Sequence, residues 1–333
     1  MLVLSDSFVE AITTSCMVVI AAISLGKMAL FPGSSMPARL ASFVALVAIA
    51  LGIMNLFTSF DPASMKGKRV VVTGASMGIG EQMAYELGKM KARVVLVARS
   101  KDKLERISRK SLQLGAQEAY YISADLSSKN ESDMKYVIDQ SVKLLGGGMD
   151  MLILNHLSPG DVLVHSGWPE RFRAEGLPWL VDQFYLNVFN YFTLSNYALP
   201  YLEAKAGGRL VVVSSTTGII GVSKTVGYSA QKHALHGYYN ALRSNLRQQN
   251  RYNVSISIAV LGAIATETFQ EHAGQNVKIS AEPADDCARS IIAAGAIGER
   301  TLYYPYRLLR PASILYTLFP DLLEMIQRSI MTE

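Results

Sequence analysis

From residue 69 onward, short runs of apolar residues alternate with stretches in which apolar positions recur every three or four residues. Apolar, β-branched runs stand at 69 to 73, 93 to 98, 118 to 123, 149 to 155, 209 to 215, 252 to 261 and 301 to 304. Runs of this kind suit strands buried on both faces, as in a parallel sheet. Helical patterns fill most of the gaps, among them a long one over 227 to 249. The rhythm predicts an α/β fold, a doubly wound parallel sheet with helices on both faces. No internal repeat or low-complexity linker interrupts it, so residues 63 to 305 read as one domain.

Within this frame, the run Arg69-Val-Val-Val72 leads into Thr73-Gly-Ala-Ser-Met-Gly-Ile-Gly80, and the helical pattern Glu81-Gln-Met-Ala-Tyr-Glu-Leu87 follows. A strand, a glycine turn and a helix in this order form a phosphate cradle. Gly74 permits the tight turn, Gly78 lets backbone approach a pyrophosphate, Gly80 allows the helix to pack on the strand, and Ser76 and Ile79 belong to the same turn. The spacing is Gly-x-x-x-Gly-x-Gly and not the dinucleotide fingerprint Gly-x-Gly-x-x-Gly. On its own such a turn is also compatible with a plain strand-to-helix connection.

Tyr228-Ser-Ala-Gln-Lys232 adds a phenol and an amine four residues apart. On a helix these share a face, and a fixed cation beside a phenol favours its phenolate. An unperturbed phenol titrates near ~10, so the pair brings proton exchange toward neutral pH. Ser215 follows the run Leu210-Val-Val-Val213 and so stands at the carboxyl end of a strand, the edge where open α/β sheets bind ligands.

Together these motifs resemble the short-chain dehydrogenase/reductase family, over about Lys66 to Tyr304. Within it the chain is most similar to the 11-beta-hydroxysteroid dehydrogenase type 1 subgroup, on Asp150-Met-Leu-Ile-Leu-Asn-His156, Val211-Val-Val-Ser-Ser215, Asn253-Val-Ser-Ile256 and Leu261-Gly-Ala-Ile-Ala-Thr-Glu-Thr268. Where most of the family carries Asn-Asn-Ala-Gly, this chain has Leu154-Asn-His-Leu157, as that subgroup does. The resemblance implies a Rossmann-type fold, a bound nicotinamide dinucleotide, hydride transfer between an alcohol and a ketone, and a homodimer. It assigns Ser215 to hold the substrate carbonyl, Tyr228 to exchange its proton, Lys232 to bind the nicotinamide ribose and lower the tyrosine pKa, and Asn187 to hold a water that relays protons to Lys232. It places Asp125 and Leu126 beside the adenine, Asn155, His156 and Leu157 along the ribose, and Ile264, Thr266 and Thr268 against the nicotinamide amide. His156 is read as structural or cofactor-lining, since Tyr228 and Lys232 already supply the proton chemistry.

After the second apolar run the chain supplies Arg99-Ser100-Lys101, where NAD-preferring members carry an acid. Arg99, with the Ser76 hydroxyl, can hold a 2'-phosphate by charge-assisted hydrogen bonds, which points to NADP(H). Two features depart from the subgroup. The segment His165 to Trp179, which helps wall the substrate pocket in the family, is longer, so the substrate could be a steroid, a retinoid, a lipid aldehyde or another apolar carbonyl. Gln231 replaces the more usual serine of Tyr-Ser-Ala-Ser-Lys, a change expected to lie outside the proton path.

Composition bears mainly on location. Half of the 333 residues are hydrophobic, and the excess lies at the N-terminus. Residues 11 to 26 and 40 to 60 carry no charge, and the second stretch is long enough to cross a bilayer core of roughly 30 Å. Residues 1 to 62 are therefore read as a membrane anchor of one or two transmembrane helices. Asp6 and Glu10 are the wrong charges for a signal peptide's leading region. Lys27 and Arg39 favour a cytosolic loop between the two stretches, whereas Lys66, Lys68 and Arg69 argue the other way. With Asn-x-Ser sequons at Asn130 and Asn253, the reading is an endoplasmic reticulum membrane protein with a lumenal catalytic domain.

Residues 306 to 333 form an apolar tail, basic at its start and broken by Pro311 and Pro320. It suits either a membrane surface or the domain's own pocket or a dimer partner. Cys16 and Cys287 suggest neither a disulfide nor a metal site, and the net charge of +5 is spread too evenly for a nucleic-acid footprint. A cofactor-binding membrane scaffold or lipid carrier is the competing class, and it has no need of Ser215, Tyr228 and Lys232 together.

Overall fold

In the computed structural model, the described residues are 60–158, 168–204, 207–272 and 280–330. The strands are β1 (Arg69–Thr73), β2 (Arg93–Ala98), β3 (Glu118–Ser123), β4 (Met151–Leu154), β5 (Gly208–Ser215), β6 (Val254–Leu261), β7 (Ile264–Ala265), β8 (Glu282–Pro283) and β9 (Thr301–Tyr304). Among the described residues seven of them form one parallel sheet in the order β3-β2-β1-β4-β5-β6-β9, and β7 pairs with β8 apart from it. The α-helices are α1 (Gly78–Lys89), α2 (Lys101–Gln113), α3 (Glu131–Leu144), α4 (Trp168–Phe184), α5 (Asn190–Glu203), α6 (Val226–Gln248), α7 (Glu267–His272), α8 (Ala284–Ile297), α9 (Tyr306–Leu318) and α10 (Pro320–Ile330). A π-helical turn, Tyr185–Phe189, joins α4 to α5.

Beyond the half-buried arginines that start β1 and β2, the central strands are buried because helices cover both faces, and this is why they read as apolar runs. Helix α6 turns one stripe inward, on which Tyr228, Lys232, Leu235, Tyr239 and Leu246 are buried at helical spacing. Two strands are shorter than their apolar runs. β4 stops at Leu154 because the Asn155 side chain turns to the carbonyls of Thr73 and Gly74. β6 begins only at Val254, after the Asn253 carbonyl has accepted the N–H groups of Gly207 and Gly208.

The long segment ahead of the π turn is helical, with its break at Gly176 (φ 68°, ψ −168°). In the tail, Pro320 starts α10 whereas Pro311 sits inside α9, so only one of the two prolines interrupts the helix. Leu309 anchors α9 in the core, while Leu318, Phe319 and Met325 are exposed. Among the described residues no helix is long and apolar enough to cross a membrane. The apolar stretches at 11 to 26 and at 40 to 59, with Cys16, lie outside the described residues.

At the amino end of the sheet, Arg69 ties β1 to the approach to β4. Its Nη2 and Nε donate to Asp150 Oδ1 and Oδ2 at 2.7 and 2.9 Å, and its backbone N–H donates to Oδ2 at 2.9 Å. Burial alone pushes the Asp150 carboxyl up, but the hydrogen bonds and charge of Arg69 outweigh it and hold the group below the usual carboxylate range. Its stabilisation is therefore present above that range and lost as pH falls through the depressed value. Asp150→Asn should lower the unfolding free energy by about 2 kcal/mol at pH 7 and by less at pH 3, as measured by urea unfolding at the two pH values.

Candidate active site

The sheet order reverses between β1 and β4, so a crevice opens at their carboxyl ends, where the fully buried Thr73 ends β1. The Thr73 hydroxyl accepts the Asn155 N–H at 2.9 Å and lies 2.8 Å from His156 Nδ1. His156 Nε2 faces the Leu186 carbonyl at 3.1 Å, and a carbonyl only accepts, so Nε2 bears the proton and Nδ1 accepts from Thr73. Burial and the charge of Lys232 pull the imidazole pKa down to about 3 against the upward pull of this carbonyl, so it is neutral at physiological pH.

Beyond Thr73 the chain turns sharply at Gly74, whose φ of 65° and whose contact with His156 both forbid a side chain. A Cβ there would meet His156 Cα at 2.6 Å, and one on Gly80 would meet the Gly74 carbonyl oxygen at 2.1 Å. The helix thus starts pressed against the strand, and its N-cap, Met77, offers no side-chain hydrogen bond to the first amides. Uncapped amides at a helix start, beside a turn stripped of side chains, suit an anion such as a pyrophosphate.

The turn borders a cavity of about 270 Å³. Gly74, Ser76, Gly78 and Ile79 line it from the turn, Arg99 from the end of β2, and Asp125 and Leu126 from beyond β3. Burial pushes the Asp125 carboxyl up, but the backbone and side-chain hydrogen bonds of Ser127 and the charge of Arg99 hold it below its usual range. Asn155, His156 and Leu157 form the floor, and Ile264 and Thr266 contribute from the far side.

Ser215, Tyr228 and Lys232 line the same cavity. β5 delivers Ser215 at its carboxyl end, where the hydroxyl oxygen accepts the Thr217 N–H at 3.2 Å. Lys232 is 1% exposed, with Nζ donating to the Val213 carbonyl at 3.1 Å and standing 5.5 Å from the centre of the Tyr228 ring. Desolvation pulls its pKa down to about 7, so a modest change of surroundings decides whether it is charged at neutral pH.

Two residues expected at the site are absent from the cavity lining, and a third cannot be placed. Gly80 packs beneath the turn, as described, and Asn187 is fully buried in the π turn outside the cavity lining, while the Thr268 side chain lies outside the described residues. Asn187 Oδ1 accepts the Ser158 N–H at 3.2 Å and Nδ2 donates to Gln231 Oε1 at 2.7 Å, so Gln231 is bonded directly to the residue named for the proton relay. Met77, Ala98, Ser100, Lys103, Ala124, Leu186, Val213, Ser214, Leu261, Gly262 and Phe269 line the cavity without having been singled out. Lys103 was within reach of sequence reasoning, since it stands in the first turn of α2, directly after the loop that carries Arg99. Leu186 and Phe269 were not, because they depend on the π turn and on the short α7.

A family model for short chain dehydrogenases matches residues 68–276. Hydroxysteroid 11-beta-dehydrogenase 1-like protein A of Xenopus laevis is 38% identical over 268 residues, covering 80% of this chain and 88% of that protein. The hydroxysteroid 11-beta-dehydrogenase 1-like protein of Gallus gallus is 42% identical over 263 residues, covering 79% and 87%. Among solved structures, a short-chain dehydrogenase/reductase from Serratia marcescens superposes with a TM-score of 0.62 at 21% identity, over 72% of this chain and 97% of that one. A short-chain dehydrogenase from Burkholderia cenocepacia in complex with NADP gives 0.60 at 22%, over 72% and 97%. At that identity the two structures speak for the fold alone.

The chain therefore belongs to the short-chain dehydrogenase family, and its sequence relatives place it with the 11-beta-hydroxysteroid dehydrogenase type 1 subgroup. It is an oxidoreductase whose fold binds a nicotinamide cofactor, and the glycine turn and uncapped α1 leave room for one.

The depressed Lys232 pKa has a stability consequence. Between about 7 and the unperturbed lysine value the unfolded chain holds a proton that the folded chain lacks, so stability rises with pH across that window and is flat below it. Lys232→Met should raise Tm by roughly 4 °C at pH 6, with the advantage shrinking between pH 7 and 10. Calorimetry of the cofactor-free protein across that range is the check.

Proposed function

We propose that the protein is a membrane-anchored NADP(H)-dependent oxidoreductase that interconverts ketone and alcohol on an apolar, steroid-like substrate. The observation that favours this most is the meeting of Ser215, Tyr228 and Lys232 with the glycine turn around one cavity. Bound there, a nicotinamide cofactor supplies the hydride for a carbonyl carbon, or accepts one from an alcohol carbon. Ser215 orients the substrate oxygen through its hydroxyl. Tyr228 gives its proton to that oxygen in reduction and takes one back in oxidation. Lys232 holds a ribose hydroxyl and, when charged, favours the phenolate, while Asn187 holds the turn through which a water replenishes the proton.

The preference for NADP(H) rests on two cations, Arg99 and Lys103, that border the end of the cavity beside β2, with the hydroxyl-bearing Ser76 close by in the lining. A carboxylate at position 99 would repel a 2'-phosphate. The names of the sequence relatives support a steroid or a molecule of similar shape, with retinoid and lipid carbonyls as the nearest alternatives. The charge-free N-terminal stretches support anchoring in the endoplasmic reticulum membrane. The lumenal placement draws on the two sequons, whose asparagines are both exposed. A homodimer completes the reading.

The decisive measurement is a panel of steroid, retinoid and lipid carbonyls offered with NADPH or NADH to membrane-reconstituted protein. At least one apolar carbonyl should turn over with NADPH; none doing so would leave the scaffold or carrier class standing. Tyr228→Phe should lower turnover about a thousandfold or more while NADPH still binds within about threefold of its normal affinity. Arg99→Asp should cut the preference for NADPH over NADH by about ten- to a hundredfold, read as the ratio of kcat/KM values. An unchanged ratio would remove Arg99 from the cofactor site.

A further inference from the structure

Gln231 immediately precedes Lys232, and its side chain is fully buried although it does not line the cavity. Its bond to Asn187, with the bond from Ser158 to Asn187, fixes the sense of both amides. A backbone N–H can only donate, so Asn187 turns its oxygen to Ser158 and its nitrogen to Gln231, and Gln231 must answer with Oε1. That leaves Gln231 Nε2 buried with no hydrogen-bond partner among the described residues. A buried amide N–H without an acceptor opposes folding, and an apolar side chain of the same length would avoid the cost. Packing alone therefore gives no reason for a glutamine here.

The bonds do join three walls of the site. α6 brings Tyr228 and Lys232, the π turn brings Leu186, and the segment after β4 brings His156. A π turn breaks the regular α-helical hydrogen-bond ladder and needs support from outside itself. We propose that Gln231 is a positioning residue, which acts through Asn187 to clamp the π turn to α6 and so sets Tyr228 and Lys232 against the cavity floor. The proposal rests on the oxidoreductase function given above, because its effect is read in proton-coupled turnover. The titratable groups facing Lys232 are Tyr228 and His236 on α6, Tyr191 on α5 and His156 after β4.

The test compares Gln231→Met, Asn187→Ala, the double variant and Gln231→Glu in the full-length, membrane-reconstituted protein, with NADPH and whichever carbonyl the wild type reduces. Gln231→Met should lower kcat about ten- to a hundredfold, with the KM for NADPH within about twofold. Added to Asn187→Ala, it should cost nothing more, since a residue acting through Asn187 has no separate effect once Asn187 is gone. Gln231→Glu keeps an oxygen for Asn187 and should recover most of the loss. Its negative charge beside Lys232 should also move the alkaline limb of the pH profile upward.

Wild-type turnover in Gln231→Met, or losses that multiply in the double variant, would overturn the proposal. Should Gln231→Met not fold, an unmoved pH limb in Gln231→Glu does the same. An active wild type with indifferent Gln231 variants sinks this inference alone, whereas a wild type inert toward the whole panel sinks the proposed function and this inference with it.

Discussion

The site depends on one hydroxyl group. Thr73 stands where β1 ends and the sheet order reverses, and it serves Asn155 as acceptor and His156 as donor. Through Asn155 it sets the distance between β1 and the end of β4, and through His156 it reaches the Leu186 carbonyl of the π turn. A parallel sheet always leaves a crevice at such a reversal. What makes this one a shaped cavity is that its floor is cross-braced by neutral groups hydrogen-bonded to one another. Tyr191 extends the brace, donating from its hydroxyl to the His156 carbonyl at 2.6 Å.

Against that floor stands Lys232, the one buried lysine among the described residues. Lys232 has its amine on a main-chain carbonyl and two aromatic rings nearby. Its depressed pKa is therefore a product of burial, and it is the physical source of the poise between ammonium and amine at neutral pH. The same burial lowers the pKa of His156, so two basic groups a short distance apart serve different ends. One is locked by hydrogen bonds and silent, and the other is free to respond to what enters the cavity.

Much of this could be read from the chain because parallel strands advertise themselves. The runs at 69 to 73, 93 to 98, 118 to 123 and 301 to 304 coincide with β1, β2, β3 and β9. β1 and β2 are buried on both faces and read as apolar runs, and the half-exposed edge strands β3 and β9 still carry paired tyrosines and apolar neighbours. The long helical pattern over 227 to 249 likewise matches α6 to within one residue at each end. The cavity residues nearest the motifs were legible for the same reason: the ends of strands were already known. The π turn was not legible, because Tyr185-Leu-Asn-Val-Phe189 carries no spacing that separates it from ordinary helix. The paired β7 and β8 were missed as well, each being two residues long and paired across a gap in sequence.

Gln231 shows where the boundary lies. Its neighbours in the chain, Tyr228 and Lys232, announce an acid/base pair through local spacing alone, because four residues along a helix bring two side chains to one face. With strand periodicity and the glycine turn, that was enough to determine the fold class and the family, and to name candidates for the chemistry of the site. That Gln231 bonds Asn187, forty-four residues away, that His156 is neutral, and that Asn187 stands behind the cavity wall were decided only on folding. Hydrogen-bond partners and desolvation are properties of what surrounds a group, and for these residues the surroundings come from segments distant in the chain.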